Sequence, residues 1–152
     1  MSRGTLISVG TIVAVSVVLG FFALNSMHPV NSDSFVFAPT TNIFLKALKS
    51  SQGYHYSSQS TKGSKTVPSV AGSSPPLVVS KGNLVQIHLI NEEKNERDEP
   101  SKHNLNIDEF NVHIKDLGYF QTDSQTFLAD KTGTFHYYCS IHPDMQGTIT
   151  VT

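Results

Sequence analysis

The only cysteine of this 152-residue chain stands at position 139, and His142 and Met145 follow it at steps of three in Tyr138-Cys139-Ser140-Ile141-His142-Pro143-Asp144-Met145-Gln146-Gly147. A thiolate, an imidazole and a thioether at Cys-x2-His-x2-Met spacing make a soft but incomplete donor set. Two histidines and one cysteine in a trigonal plane, with a long axial methionine, suit electron-transfer copper. The motif therefore requires a second histidine from elsewhere in the chain. That requirement constrains the fold, because a residue remote in sequence has to be delivered beside a loop near the C-terminus.

His103 answers it. In His103-Asn104-Leu105-Asn106-Ile107 the histidine alternates in phase with Leu105 and Ile107, so a strand here turns the imidazole toward the core side. A histidine so placed needs a partner, since an unpaired buried polar group costs about 1–3 kcal/mol. Copper is one such partner; a hydrogen bond within the core is the other. The remaining histidines fit less well. His88 alternates out of phase with Val85, Ile87 and Leu89, His136 out of phase with Phe135, Tyr137 and Cys139, and nothing pairs with His113 by spacing.

The segment from His103 to Val151 resembles the C-terminal half of a cupredoxin, the small blue copper fold of plastocyanin, amicyanin and the copper domain of cytochrome oxidase subunit II. The Cys-x2-His-Pro-x-Met loop is similar to the ligand loop of amicyanins, and Ile107-Asp108-Glu109-Phe110-Asn111-Val112 is closer to the oxidase subunit. With Pro76–Asn91 as a preceding hairpin, the resemblance covers about 70 residues. It implies an all-β Greek-key sandwich and one mononuclear type 1 copper held by His103, Cys139, His142 and Met145. It also implies that Asn104 bridges to Ser140 beside the cysteine. Pro143 stiffens the loop and adds apolar surface next to His142, whose edge passes electrons.

Several alternatives are excluded or disfavoured by the residues themselves. The binuclear copper site of the oxidase subunit needs two cysteines, and one is present. A lone cysteine also excludes an internal disulfide. Structural zinc is closed by four strong N, S or O donors, and thioether is not among them. A buried, inert cysteine would leave the spacing of His142 and Met145 without a reason.

Thr5 to Leu24 is an uncharged run of twenty residues. At ~1.5 Å per residue it matches the ~30 Å hydrocarbon core of a bilayer. The run exceeds the apolar region of a signal peptide and lacks a small-residue cleavage site after Phe21-Phe22-Ala23-Leu24-Asn25, which favours an uncleaved anchor over a cleaved leader. Arg3 is the only base before Lys46, which places the N-terminus in the cytoplasm and the rest outside the membrane. The expected organisation is an anchor or signal at 1–26, a linker at 27–50 and a copper domain at 51–152. A net charge of -1 gives no reason to expect nucleic acid as a partner.

Between the linker and Pro75 the pattern is weak. Ile43–Lys49 is a short apolar-basic run of uncertain type, and Tyr54-His55-Tyr56 is a β-like island in a stretch of Ser, Gly, Thr, Gln and Lys. Beyond it, Leu77-Val78-Val79 and Leu84–Ile90 read as strands around a Lys81-Gly82-Asn83 turn. Asn91–Pro100, with five acids and two bases, reads as a solvated loop or a docking patch for a redox partner. Phe110–Leu128 is expected to be a long Greek-key connection, and the last two strands carry Phe135, Tyr137, Cys139, Ile149 and Val151 inward.

The function expected is that of a membrane-tethered carrier passing single electrons between redox partners of a respiratory or related chain. A small copper oxidoreductase acting on a molecule such as nitric oxide is a second reading, but an enzyme needs an open coordination position that Met145 would fill. Copper delivery is a third; it calls for methionine-rich stretches, and beyond Met1 only Met27 and Met145 are present.

Overall fold

In Leu84–Asn91 the residues Val85, Ile87 and Leu89 are buried while Gln86, His88 and Ile90 turn outward, the period of a strand with one face in the core. The computed structural model describes residues 29–32, 40–58 and 73–152. Within them, nine strands follow in order: β1 Thr40–Ser50, β2 Gly53–Ser58, β3 Leu77–Val79, β4 Leu84–Asn91, β5 His103–Ile107, β6 Val112–Leu117, β7 Thr122–Leu128, β8 Gly133–Tyr138 and β9 Gln146–Val151. One short 3-10 turn, Asp108–Phe110, joins β5 to β6. Among the described residues no helix is long and apolar enough to cross a membrane, and the Thr5–Leu24 run lies outside them.

The strands form two sheets, ordered β2-β1-β4-β7 and β3-β9-β8-β5-β6. β1 runs parallel to β4 and β3 parallel to β9, while the other pairs are antiparallel. The chain crosses between sheets after β2, β3, β4, β6 and β7, the wrapping of a Greek-key sandwich. Leu45, Ala47, Ile87, Leu89 and Phe127 of one sheet meet Leu105, Ile114, Tyr137, Ile149 and Val151 of the other in a single core. Burying each large side chain contributes ~1.5–3 kcal/mol. Phe110 enters from the 3-10 turn and stacks on Phe127, with centroids 5.0 Å apart.

Three expectations differ from the structure. Thr40–Ser50, within the stretch read as a linker, is β1, a central strand. Its inward Leu45 and Ala47 alternate with outward Phe44, Lys46 and Leu48, so apolar side chains on both faces hide the period. Phe44 is apolar on the outer face because it stacks on His88 of β4, centroids 4.4 Å apart. Upstream, Val30 donates its N–H to Thr126 O and packs on the core, so residues 29–32 are docked rather than free. Finally, Phe110–Leu128 is not one long connection. It holds β6 on the edge of the second sheet and β7 on the edge of the first.

Candidate metal centre

β5 and β8 are neighbours in the second sheet, with Asn106 opposite Tyr138, so His103 at the start of β5 lies beside Cys139 just past the end of β8. The chain then turns back through His142 and Met145 into β9, which pairs with β8. One donor atom from each of His103, Cys139 and His142 lies within 4.8 Å of the other two. Cys139 Sγ is 3.7 Å from His142 Nδ1, and the two imidazole centroids are 4.6 Å apart.

His103 is fully buried, and its Nε2–H donates to Glu93 Oε2 at 2.6 Å. Its other nitrogen, Nδ1, is buried and makes no hydrogen bond within the protein. Such an orphaned atom is costly unless something absent from the polypeptide satisfies it. A metal ion bound with Cys139 and His142 would do so, and the mix of thiolate and imidazole donors fits copper.

The electrostatics favour a thiolate. Burial pushes the Cys139 thiol up, but the His103 ring and the backbone N–H groups of Asn104, Ile141 and His142 outweigh it and bring the thiol below its ordinary range. The same pairing works in reverse on His103: burial lowers it, and the sulfur followed by Glu93 raises it overall. For His142, burial and then the neighbouring His103 hold the ring below the usual imidazole value. A neutral His142 keeps a lone pair for a metal.

Backbone bonds fix the ligand loop. Cys139 N–H donates to Met145 O at 3.0 Å, and Met145 N–H donates to His142 O at 2.9 Å. Met145 is fully buried and belongs to the same cluster as Cys139, whereas Pro143 is exposed at the loop's outer side. Asn104 ties the loop to β5: its Oδ1 accepts from Ser140 N–H at 2.9 Å and its Nδ2 donates to Ser140 Oγ at 2.7 Å. Asn104 keeps the outward phase, on the face of Asn106, whose Nδ2 donates to its Oδ1 at 3.1 Å, and is buried there because Ser140 and Asp116 bond its amide. Asp116 Oδ1 takes a further bond from its Nδ2 at 2.8 Å.

Three other described histidines lie elsewhere. His88 rests on Phe44 and contacts Asn42 Oδ1 at 3.3 Å, His113 is exposed and bonded through Nδ1 to Asn106 Oδ1, and His136 is exposed on β8. Two residues at the site are not evident from spacing. Glu93 comes from the charged loop, where five acids gave no reason to single out one. Tyr54 comes from β2, and its ring lies 3.9 Å from that of His142. The charged loop is also less acidic in effect than its composition suggests, since Lys46 pairs with Glu92 and Lys49 with Glu96.

Comparison with known proteins places this geometry in context. The chain resembles the copper nitrite reductase of Nitrosomonas europaea at 23% identity and a TM-score of 0.54, covering 74% of this chain and 41% of that one. It thus spans about two-fifths of that enzyme's length. Reduced auracyanin from Roseiflexus castenholzii superposes with a TM-score of 0.50 at 18% identity, over 76% of this chain and 98% of the other. A chain of a heme-copper terminal oxidase dimer gives 0.51 at 15% identity, covering 97% and 99%. At these identities the likeness is one of fold. No curated protein matches the sequence significantly. The match that reaches into the sequence itself is to the cupredoxin-like domain, over residues 43–151, from β1 through the His103, Cys139 and His142 cluster to the end of β9, and the chain belongs to that family.

Proposed function

We propose that this protein is a mononuclear type 1 copper protein that carries single electrons between redox partners outside the cytoplasmic membrane, held there by the Thr5–Leu24 segment. The observation that carries the reading is the convergence of His103, Cys139 and His142 with a buried, unpartnered Nδ1 on His103. Cys139, His103 and His142 would be the strong ligands of the metal, and Met145, buried on the same loop, would be a weaker fourth donor. Bound copper supplies a one-electron couple between Cu(I) and Cu(II).

The protein's part is to change little between those states. Two ligands come from adjacent strand ends, and the third lies on a loop closed by its own backbone bonds and by Asn104, so the donors are preorganised. Pro143 lacks an N–H and limits the loop further. The cavity that touches His142, lined by Tyr54, Glu93, Glu99 and Lys102 among others, measures about 20 Å³. That is room for about one water, which suits a carrier better than a catalyst that must admit a substrate.

The full chain loaded with Cu(II) should show an intense thiolate-to-copper charge-transfer band and a compressed copper hyperfine splitting in EPR. Cys139→Ala should lose both. A colourless copper-loaded wild type with ordinary tetragonal EPR would refute the reading.

A further inference from the structure

Glu93 is drawn from the most charged stretch of the chain, yet its side chain is only 9% exposed and its carboxylate faces a histidine that is 0% exposed. The carboxylate does not stand there by chance of rotamer. Oε2 accepts from His103 Nε2–H at 2.6 Å and from Ser101 Oγ–H at 3.0 Å. Asn91, fully buried, donates through Nδ2 to Ser101 Oγ at 2.8 Å and to Leu117 O at 2.9 Å, and its Oδ1 accepts Glu93 N–H at 2.9 Å. Glu93 is thereby clamped between the end of β4 and the start of β5.

We propose that Glu93 is a positioning residue of the copper site, holding His103 in the one neutral tautomer able to ligate through Nδ1 and setting a fixed negative charge that favours Cu(II) over Cu(I). The proposal rests on the copper reading above. A neutral imidazole carries one N–H, and a carboxylate offers acceptors only. With the proton committed to Nε2, the Nδ1 lone pair is left free on the side of Cys139 and His142. Carboxylate, histidine and metal in line is a common way of orienting a ligand ring and raising its basicity.

The charge balance gives the second part. With the Cys139 thiolate and the Glu93 carboxylate, the site is neutral around Cu(II) and carries one net negative charge once a one-electron donor has reduced it to Cu(I). Burial weakens the screening of that charge, so the reduced state bears most of the cost. Removing the charge while keeping the shape should release it.

The test uses the full copper-loaded chain as wild type, Glu93→Gln and Glu93→Asp, titrated with one-electron mediators. Glu93→Gln should keep the charge-transfer colour and shift the equilibrium toward Cu(I) at least tenfold, a rise of about 59 mV for a one-electron couple. Glu93→Asp, which keeps the charge, should shift it less. In the metal-free full chain, imidazole nitrogen NMR at a pH where the ring is neutral should place the His103 proton on Nε2, with mixed tautomers in Glu93→Ala. A coloured Glu93→Gln protein whose potential moves by less than tenfold overturns the proposal, as does a wild-type His103 protonated on Nδ1. Should the glutamine variant take no copper, the tautomer measurement decides. A wild type without charge-transfer colour would defeat the copper reading instead, so the two failures are distinct.

Discussion

The ring of Tyr54 lies against that of His142, with centroids 3.9 Å apart and planes inclined by 31°. Tyr54 sits near the start of β2, in the opposite sheet from β8 and β9, so the first hairpin is brought over the ligand loop. The same ring is flanked by Lys49, whose Nζ is 5.4 Å from the ring centroid and 2.7 Å from Glu96 Oε1. His142 is thus in contact with the rings of Tyr54 and His103, and its chain neighbours Ile141 and Pro143 are exposed.

Tyr54→Ala should therefore leave the copper colour in place, since no ligand is lost, but should loosen His142. Copper should pass to a competing chelator several-fold faster, and stability should fall by about 0.5–1.5 kcal/mol beyond the lost burial. Tyr54→Phe keeps the stack and should resemble wild type. Chelator kinetics unchanged in Tyr54→Ala would mean that the stack does not restrain the ligand.

The histidines separate cleanly by position. His103→Ala removes a buried candidate ligand and should abolish or radically alter the charge-transfer band, whereas His113→Ala, His136→Ala and His88→Ala should leave it intact. His113 and His136 are exposed, and His88 is packed on Phe44 in the other sheet. Visible spectra of the four copper-loaded variants check this, and loss of the band in His113→Ala alone would overturn the assignment.

Strand alternation made the second half of the chain legible, because β4, β8 and β9 each bury one face and wet the other. It also put His103 and Cys139 on core-facing positions. The first half was not legible for a physical reason. β1 carries Phe44 and Leu48 outward as well as Leu45 and Ala47 inward, so a central strand lacks a clean period. Asn104 is buried despite its outward phase because Ser140 and Asp116 bond its amide, and Glu93 and Tyr54 reach the site through folding of the charged loop and the first hairpin. Tertiary contacts of that kind leave no spacing to read.

Gly147 offers a test of packing beneath the site. A Cβ built there would fall 2.3 Å from Tyr137 Cζ and 2.4 Å from its hydroxyl oxygen. Tyr137 is fully buried and donates to Pro75 O, so it has little freedom to retreat. Gly147→Ala should cost roughly 1–3 kcal/mol, the range for overpacking a well-filled core. For a domain of this size that lowers the melting temperature by several degrees per kcal/mol, measurable by calorimetry on the metal-free chain. An unchanged melting temperature would show that Tyr137 can move aside.

Met145 separates a carrier from a catalyst. Its side chain is fully buried, and its backbone is bonded at both ends of the ligand loop, through its O to Cys139 N–H and through its N–H to His142 O. Replacing it with leucine conserves volume and should cost under about 1.5 kcal/mol in stability, so the loop should survive. The three proposed strong ligands remain in Met145→Leu, and the intense colour should persist. The potential should rise, because a donor that helps stabilise Cu(II) is withdrawn; Met145→Gln supplies a harder oxygen donor and should lower it. The same closed position means that azide should leave the wild-type Cu(II) spectrum nearly unchanged and perturb that of Met145→Ala, where water can enter. A wild-type protein that binds azide readily and turns over a small molecule such as nitric oxide would mean that the thioether is not on copper, and that the open position an enzyme needs is present after all.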